Sequence, residues 1–200
     1  MTQAHGQGGP ATSAPDAKAA LRRALRARRR RLADQVPTAG ERAARFLGPL
    51  IAPRPGIIGA FWPLPGEIDC LALVELLPGR DWALPVVTDA DAPLLFRAWQ
   101  PGQLLEPGPH GTRQPGPHCA AVRPSILLVP LVGFDAAGAR LGQGGGYYDR
   151  TIAALEPDLF AVGVAFSGQQ VAQLPTEPHD RPLHAIVTEA GVHVPTKECP

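Results

Sequence analysis

No run of 18 consecutive apolar residues occurs in the 200-residue chain, which excludes an apolar membrane-spanning helix. Cysteine is scarce. Cys70, Cys119 and Cys199 form neither a CxxC pair nor an even framework, which argues against a disulfide scaffold and a cysteine zinc site and favours a reducing compartment, the cytoplasm. The six histidines show no HxxxH or HExxH spacing, which argues against a histidine zinc site. The start of the chain lacks the apolar segment of a secretory signal, and Asp16 precedes the first arginines, which speaks against an organelle transit peptide. Acidic residues are missing from Ala17 to Ala33, where eight of the 19 basic residues lie. The remaining 11 basic residues face 18 acidic ones, so the net charge of +1 conceals one cationic segment on an acidic body. That distribution disfavours a bulk nucleic-acid binder, and the arginine cluster needs a local explanation.

Hydrophobic residues make up 44% and charged residues 18%, as in a globular chain of one domain. Residues 1–16 are small, polar and rich in glycine and proline, and are expected to form a disordered tail ahead of a single domain over 17–195. Alanine, leucine and arginine predict a helix to Ala33 with Asp16 at its cap and Leu21, Leu25 and Leu32 near one face. A second helix is expected over Thr38–Leu50 and a third over Ile68–Leu77. Gly56–Trp62, Trp82–Val87, Leu94–Trp99, Leu159–Phe166 and His184–Thr188 read as strands, and the wholly apolar Ile126–Val132 as a central one. Residues 101–124 show little periodicity, and a further helix is expected from about Gly145 to Leu155. Strands alternating with helices predict an α/β fold: a mostly parallel sheet in a three-layer α/β/α arrangement.

The most informative segment is Pro130–Arg150, PLVGFDAAGARLGQGGGYYDR. An apolar strand runs into a loop holding Gly142, Gly144, Gly145 and Gly146, and a helix begins there. Glycines at such a turn let backbone N–H groups approach an anion, and the helix N-terminus adds partial positive charge. The spacing is neither GxGxxG nor GxxxxGK[ST]. Arg140 adds a fixed charge suited to phosphate, and Asp149, one turn into the helix, can hold magnesium or simply complement the helix dipole.

This string resembles the signature of the 5-formyltetrahydrofolate cyclo-ligase family (5,10-methenyltetrahydrofolate synthetases). Other segments agree in order: Lys18-x-x-x-Arg22, Phe61-Trp-Pro-Leu-Pro-Gly-Glu67-Ile68, Leu105-Glu-Pro-Gly-Pro, and Leu174-Pro-Thr-Glu-Pro-His-Asp180 followed by Ile186-Val-Thr-Glu. The resemblance covers roughly residues 18–192 and implies a fold similar to the NagB/RpiA/CoA-transferase-like group. It also implies ATP- and Mg2+-dependent conversion of 5-formyltetrahydrofolate to 5,10-methenyltetrahydrofolate, ADP and phosphate through a phosphorylated formyl group. Such chemistry relies on positioning and charge neutralisation more than on a protein nucleophile.

Carried over, the resemblance implies ATP-binding roles for Lys18, Arg22 and the stretch Arg140, Leu141, Gly142, Gln143, Gly144, Gly145, Gly146, Tyr147 and Tyr148. Arg140 and Tyr148 are the catalytic candidates, Trp62, Glu67 and Tyr147 the substrate-binding ones, and Asp149 and Asp180 the metal ligands. Read without the family, Trp62 is core, Glu67 caps the helix at Ile68, Asp180 makes an Asx turn, and Arg28 to Arg31 are a solvated surface. Four positions depart from the family pattern: Gln143, Gly145, Gln114 and His184. The expected partner is 5-formyltetrahydrofolate, polyglutamylated or not, bound by a monomer without membrane or nucleic-acid contacts. The competing readings are a phosphosugar- or acyl-handling enzyme of related fold, and a nucleic-acid module built on the arginine helix.

Overall fold

The structure is a computed structural model that describes residues 14–177 and 180–195. The expected tail lies outside the described residues as far as residue 13. Helix α1 spans Ala14–Gln35, so Asp16 falls inside its first turn and not at its cap. Helix α2 (Ala39–Ile51) buries Ala39, Ala43, Ala44, Leu47 and Ile51, a spacing that puts one apolar face on the sheet.

The main sheet has eight strands: β1 (Ile58–Gly59), β2 (Trp82–Val86), β3 (Leu95–Trp99), β6 (Ala121–Val122), β7 (Ile126–Pro130), β10 (Phe160–Val164), β11 (Ala185–Thr188) and β12 (Gly191–His193). Their order is β12-β11-β10-β7-β1-β2-β3-β6. The inner ladders β11–β10, β10–β7, β7–β1 and β1–β2 are parallel, while β12, β3 and β6 join antiparallel at the margins. The wholly apolar run is central, as its composition demands. Ile126 and Leu128 face a core with α2, and Leu127 and Val129 face a second core with Ile152 and Leu155 of helix α4 (Tyr147–Leu155). Both faces of each inner strand are therefore covered, which gives the three layers.

Several elements differ from their sequence expectation for local reasons. Strand β1 is two residues long; the Ala60 N–H still reaches the Ala83 carbonyl (2.9 Å), and further on Pro63 and Pro65 cannot donate to a ladder. The helix expected over Ile68–Leu77 shrinks to α3 (Ala72–Leu76). Ahead of it Asp69 Oδ1 accepts the Leu71 N–H (2.8 Å), so a side chain captures a donor inside the expected helix. The stretch 101–124 contains a small hairpin, β4 (Glu106–Pro107) with β5 (Arg113–Gln114). A second hairpin, β8 (Gly133–Phe134) with β9 (Arg140–Leu141), interrupts the path from β7 to the glycine loop. Its turn is closed by Asp135, whose Oδ1 accepts the N–H groups of Ala137 and Ala139.

From β1 the chain moves to β2 on one side, and from β7 to β10 on the other. The β1/β7 seam is thus a topological switch point, and the crevice beyond the carboxyl ends of strands at such a point is where open α/β sheets take ligands.

Candidate active site

A cleft of about 650 Å³ opens just there. Phe61 and Trp62 after β1, Pro85 and Val87 at the end of β2, and Pro130 at the end of β7 form its floor, and α1 forms a cationic wall. Every residue assigned to the site from the sequence lines this cleft: Lys18, Arg22, Trp62, Glu67, Arg140 to Asp149, and Asp180.

The loop 142–146 is held from outside by arginines. Arg22 Nε donates to the Gly142 carbonyl (3.2 Å), an Arg26 Nη to the Gln143 carbonyl (2.8 Å) and an Arg150 Nη to the Gly145 carbonyl (2.8 Å). Gly144 (φ +107°) and Gly146 (φ +67°) occupy the left-handed region, where other residues are strained, and Gly146 begins α4. At Gly145 a Cβ would lie 2.9 Å from the Tyr147 ring, which explains the absence of a side chain there.

Arg140 is almost wholly buried, with its side chain 4% exposed. Nη2 donates to Asp149 Oδ1 at 2.5 Å, Nη1 donates to the Arg181 carbonyl, and the same Asp149 oxygen accepts the Arg181 N–H (3.1 Å). Burial pulls the guanidinium pKa down, and the charges of Asp149 and Asp180 hold it up. Lys18 pairs with Asp180 (3.3 Å) and Glu177 (3.2 Å). Asp180 Oδ2 also accepts the Glu177 N–H (2.7 Å) from three residues back, which is not the Asx turn read from the bare sequence, since Pro182 has no N–H to give, and the carboxylate lines the cleft. Hydrogen bonds engage one oxygen each of Asp149 and Asp180. Asp149 Oδ2 and Asp180 Oδ1 remain as hard oxygen donors, a set that fits magnesium sharing its other positions with phosphate and water. Among the described residues no three His, Cys, Asp or Glu side chains are grouped to hold a metal by themselves.

The other half of the cleft presents the flat ring of Trp62 and the Glu67 carboxylate. Trp62 is half-buried against the α2-side core, and Glu67 faces the cleft with its side chain 5% exposed. The helix-cap reading of Glu67 is corrected, because α3 starts five residues later and the captured N–H is that of Leu64. Tyr147 lies under the Arg150 guanidinium, 5.1 Å from ring centroid to Cζ. Tyr148 packs against the second core; burial, reinforced by the Glu67 charge, pushes its phenol well above the usual tyrosine range.

The surface assignment of Arg28 to Arg31 fails at Arg29, which is buried and donates to Glu67 (2.9 Å). Arg26, Arg30, His110, Thr112 and Arg113 also line the cleft and escaped the sequence reading. For Arg29 a signal was present: it lies four residues after Leu25 and three before Leu32, on the packed face of α1. For His110 and Arg113 none was, since they reach the cleft only through the β4–β5 hairpin. The departure His184 has a structural use, its Nδ1 accepting the Ala161 N–H (3.0 Å).

Residues 14–189 match the model of the 5-formyltetrahydrofolate cyclo-ligase family. The 5-formyltetrahydrofolate cyclo-ligase of Escherichia coli (strain K12) is 36% identical over 143 residues, covering 68% of this chain and 79% of that protein. The Mycolicibacterium smegmatis enzyme of the same name is 30% identical over 191 residues, covering 89% and 97%. The NMR structure of Aquifex aeolicus 5,10-methenyltetrahydrofolate synthetase superposes with a TM-score of 0.77 at 28% identity, covering 92% of this chain and 95% of that one. With its glycine loop, buried arginine and paired carboxylates at the carboxyl ends of the strands, the chain belongs to the 5-formyltetrahydrofolate cyclo-ligase family.

Proposed function

We propose that this protein uses ATP and magnesium to cyclise 5-formyltetrahydrofolate to 5,10-methenyltetrahydrofolate, as a monomer in the cytoplasm. The observation that carries the reading is the junction of the two halves of the cleft: Gln143 of the glycine loop donates to Glu67 of the flat half at 3.2 Å, so two ligands bound side by side meet there. In the reaction the formyl oxygen attacks the γ-phosphorus and ADP leaves. N10 then attacks the activated carbon and gives up its proton to solvent, and the C–O bond breaks with loss of phosphate.

Arg140, Lys18, Arg22 and the N–H groups of Gly142–Gly146 receive the phosphates. Their work is to align and to neutralise, which is most of what phosphoryl transfer asks of a protein. Asp149 and Asp180 would hold magnesium, which when bound would help to neutralise the phosphate charge. Tyr148, kept protonated by burial, donates a hydrogen bond to a phosphoryl oxygen. Trp62 and Tyr147 offer flat faces to the pterin, and Glu67 accepts its N–H groups. The arginines gripping the loop from α1 fix its position over the phosphates.

The test is absorbance at the methenyl-folate band with 5-formyltetrahydrofolate, ATP and magnesium. A rise requiring all three is expected. ATP binding without any rise would mean that the loop holds nucleotide and the substrate is another molecule.

A further inference from the structure

Arg29 is buried deeper than an ion pair for stability requires. Its Nη1 donates to Glu67 Oε1 (2.9 Å) and to the Leu131 carbonyl (3.4 Å). Gln169 holds that carbonyl from the other side: its Nε2 donates to the carbonyls of Leu131 (2.7 Å) and Val132 (3.0 Å), while its Oε1 accepts the Phe166 N–H (2.8 Å). The guanidinium is thus anchored to the end of the central strand and cannot follow a side chain that drifts. Its Nε is buried without a partner, a cost that well-packed apolar residues would avoid.

That cost goes to fixing Glu67. Oε1 accepts from Arg29 and Gln143, and Oε2 accepts the Leu64 N–H. A carboxylate has about four acceptor sites, so about one remains for a ligand in the cleft. Held at both oxygens, the carboxylate presents that site in one direction.

We propose that Arg29 is a positioning residue for the substrate half of the cleft, acting through Glu67 to orient its remaining acceptor site toward the N–H donors of a pterin-like ligand. This rests on the folate reading of the cleft. Both bonds of Arg29 come from one nitrogen, Nη1, and a lysine side chain ends one atom short of it, so its ammonium restores the charge without reaching both acceptors.

The experiment measures binding of 5-formyltetrahydrofolate and, separately, of ATP by calorimetry in wild type, Arg29→Met, Arg29→Lys, Glu67→Gln and the Arg29→Met/Glu67→Gln double variant, with melting temperatures for each. Arg29→Met is expected to weaken folate binding by about 10-fold or more, the scale of a misplaced contact, with ATP affinity nearly unchanged. The double variant should lose no more than Glu67→Gln alone, and Arg29→Lys should recover part of the loss. Unchanged folate affinity in Arg29→Met, equal loss of folate and ATP affinity, or full recovery with lysine would overturn the proposal. If Arg29→Met does not fold, Arg29→Lys decides: a raised folate KM at constant ATP KM supports the role, and wild-type values overturn it. Wild-type protein that binds ATP but no folate would instead overturn the reading of the cleft, whatever the variants do.

Discussion

Asp149→Asn separates two duties of one carboxylate, its hold on Arg140 seen in the structure and the magnesium binding proposed for it. Asp149 Oδ1 accepts from Arg140 Nη2 (2.5 Å) and from the Arg181 N–H (3.1 Å). Asparagine keeps an oxygen in that place, so both hydrogen bonds survive and only the charge is lost. A hydrogen bond to a charged group contributes about 1.5–3 kcal/mol net and a neutral one about 0.5–1.5 kcal/mol, so the exchange costs about 1–2 kcal/mol. In a domain of this size about 1 kcal/mol moves Tm by about 2–4 °C, so the variant should melt about 2–8 °C lower by calorimetry. Asp149→Ala removes the acceptor as well and strands a guanidinium whose side chain is 4% exposed. Breaking a buried pair from one side costs about 3–5 kcal/mol, so alanine should be much worse than asparagine. In turnover assays, the magnesium concentration for half-maximal rate should rise by at least about 10-fold in Asp149→Asn, the scale of loss known even for outer-shell partners of a metal. Wild-type melting together with a wild-type magnesium response would refute both duties. Lower melting with an unchanged magnesium response would leave the carboxylate with the arginine alone.

At Gly163 in β10 a Cβ would lie 2.7 Å from Leu183 Cδ1 and 2.8 Å from Leu131 Cδ1, so Gly163→Ala should destabilise by about 1–3 kcal/mol in urea titrations; an unchanged midpoint would show that the leucines yield freely. Lys18→Met should speed amide hydrogen exchange around residues 174–183 while leaving β7 protected, because the helix then loses its hold on Asp180 and Glu177; equal exchange would refute that tether. Burial pushes both the Cys70 thiol and the Tyr148 phenol above their ordinary ranges, so each stays protonated in the fold while the unfolded chain ionises. The unfolded state binds fewer protons there, so stability should fall as pH rises past about 9–10, and Tyr148→Phe should lessen the fall; a flat alkaline profile would refute it.

The inner strands were legible because they are buried on both faces: Ile126–Pro130 and Phe160–Val164 are apolar without alternation, and only a covered strand can be. The glycine loop was legible for the opposite reason, since Gly144 and Gly146 adopt a backbone that other residues resist. What could not be read depends on meetings across the chain. The β8–β9 hairpin rests on Asp135, which also accepts the Leu174 N–H (2.9 Å) from 39 residues away. The inward turn of Arg29 was masked by its neighbours, as Arg28, Arg30 and Arg31 are exposed and one arginine looks like the next. Its place in the stripe of Leu25 and Leu32 distinguishes it only once that stripe is known to face the strand ends.

The contacts of α1 also set an order of assembly. Lys18 reaches Asp180 across 162 residues, Arg22 reaches Gly142 across 120, and Arg29 reaches Leu131 across 102. Helix α1 therefore depends on partners that lie more than 100 residues further along the chain. Closing loops of that span precedes any reward from the contacts, which makes this docking a late and slow event. The cleft that these contacts complete is thus expected to form late in folding, after the segments that carry Leu131, Gly142 and Asp180 are in place.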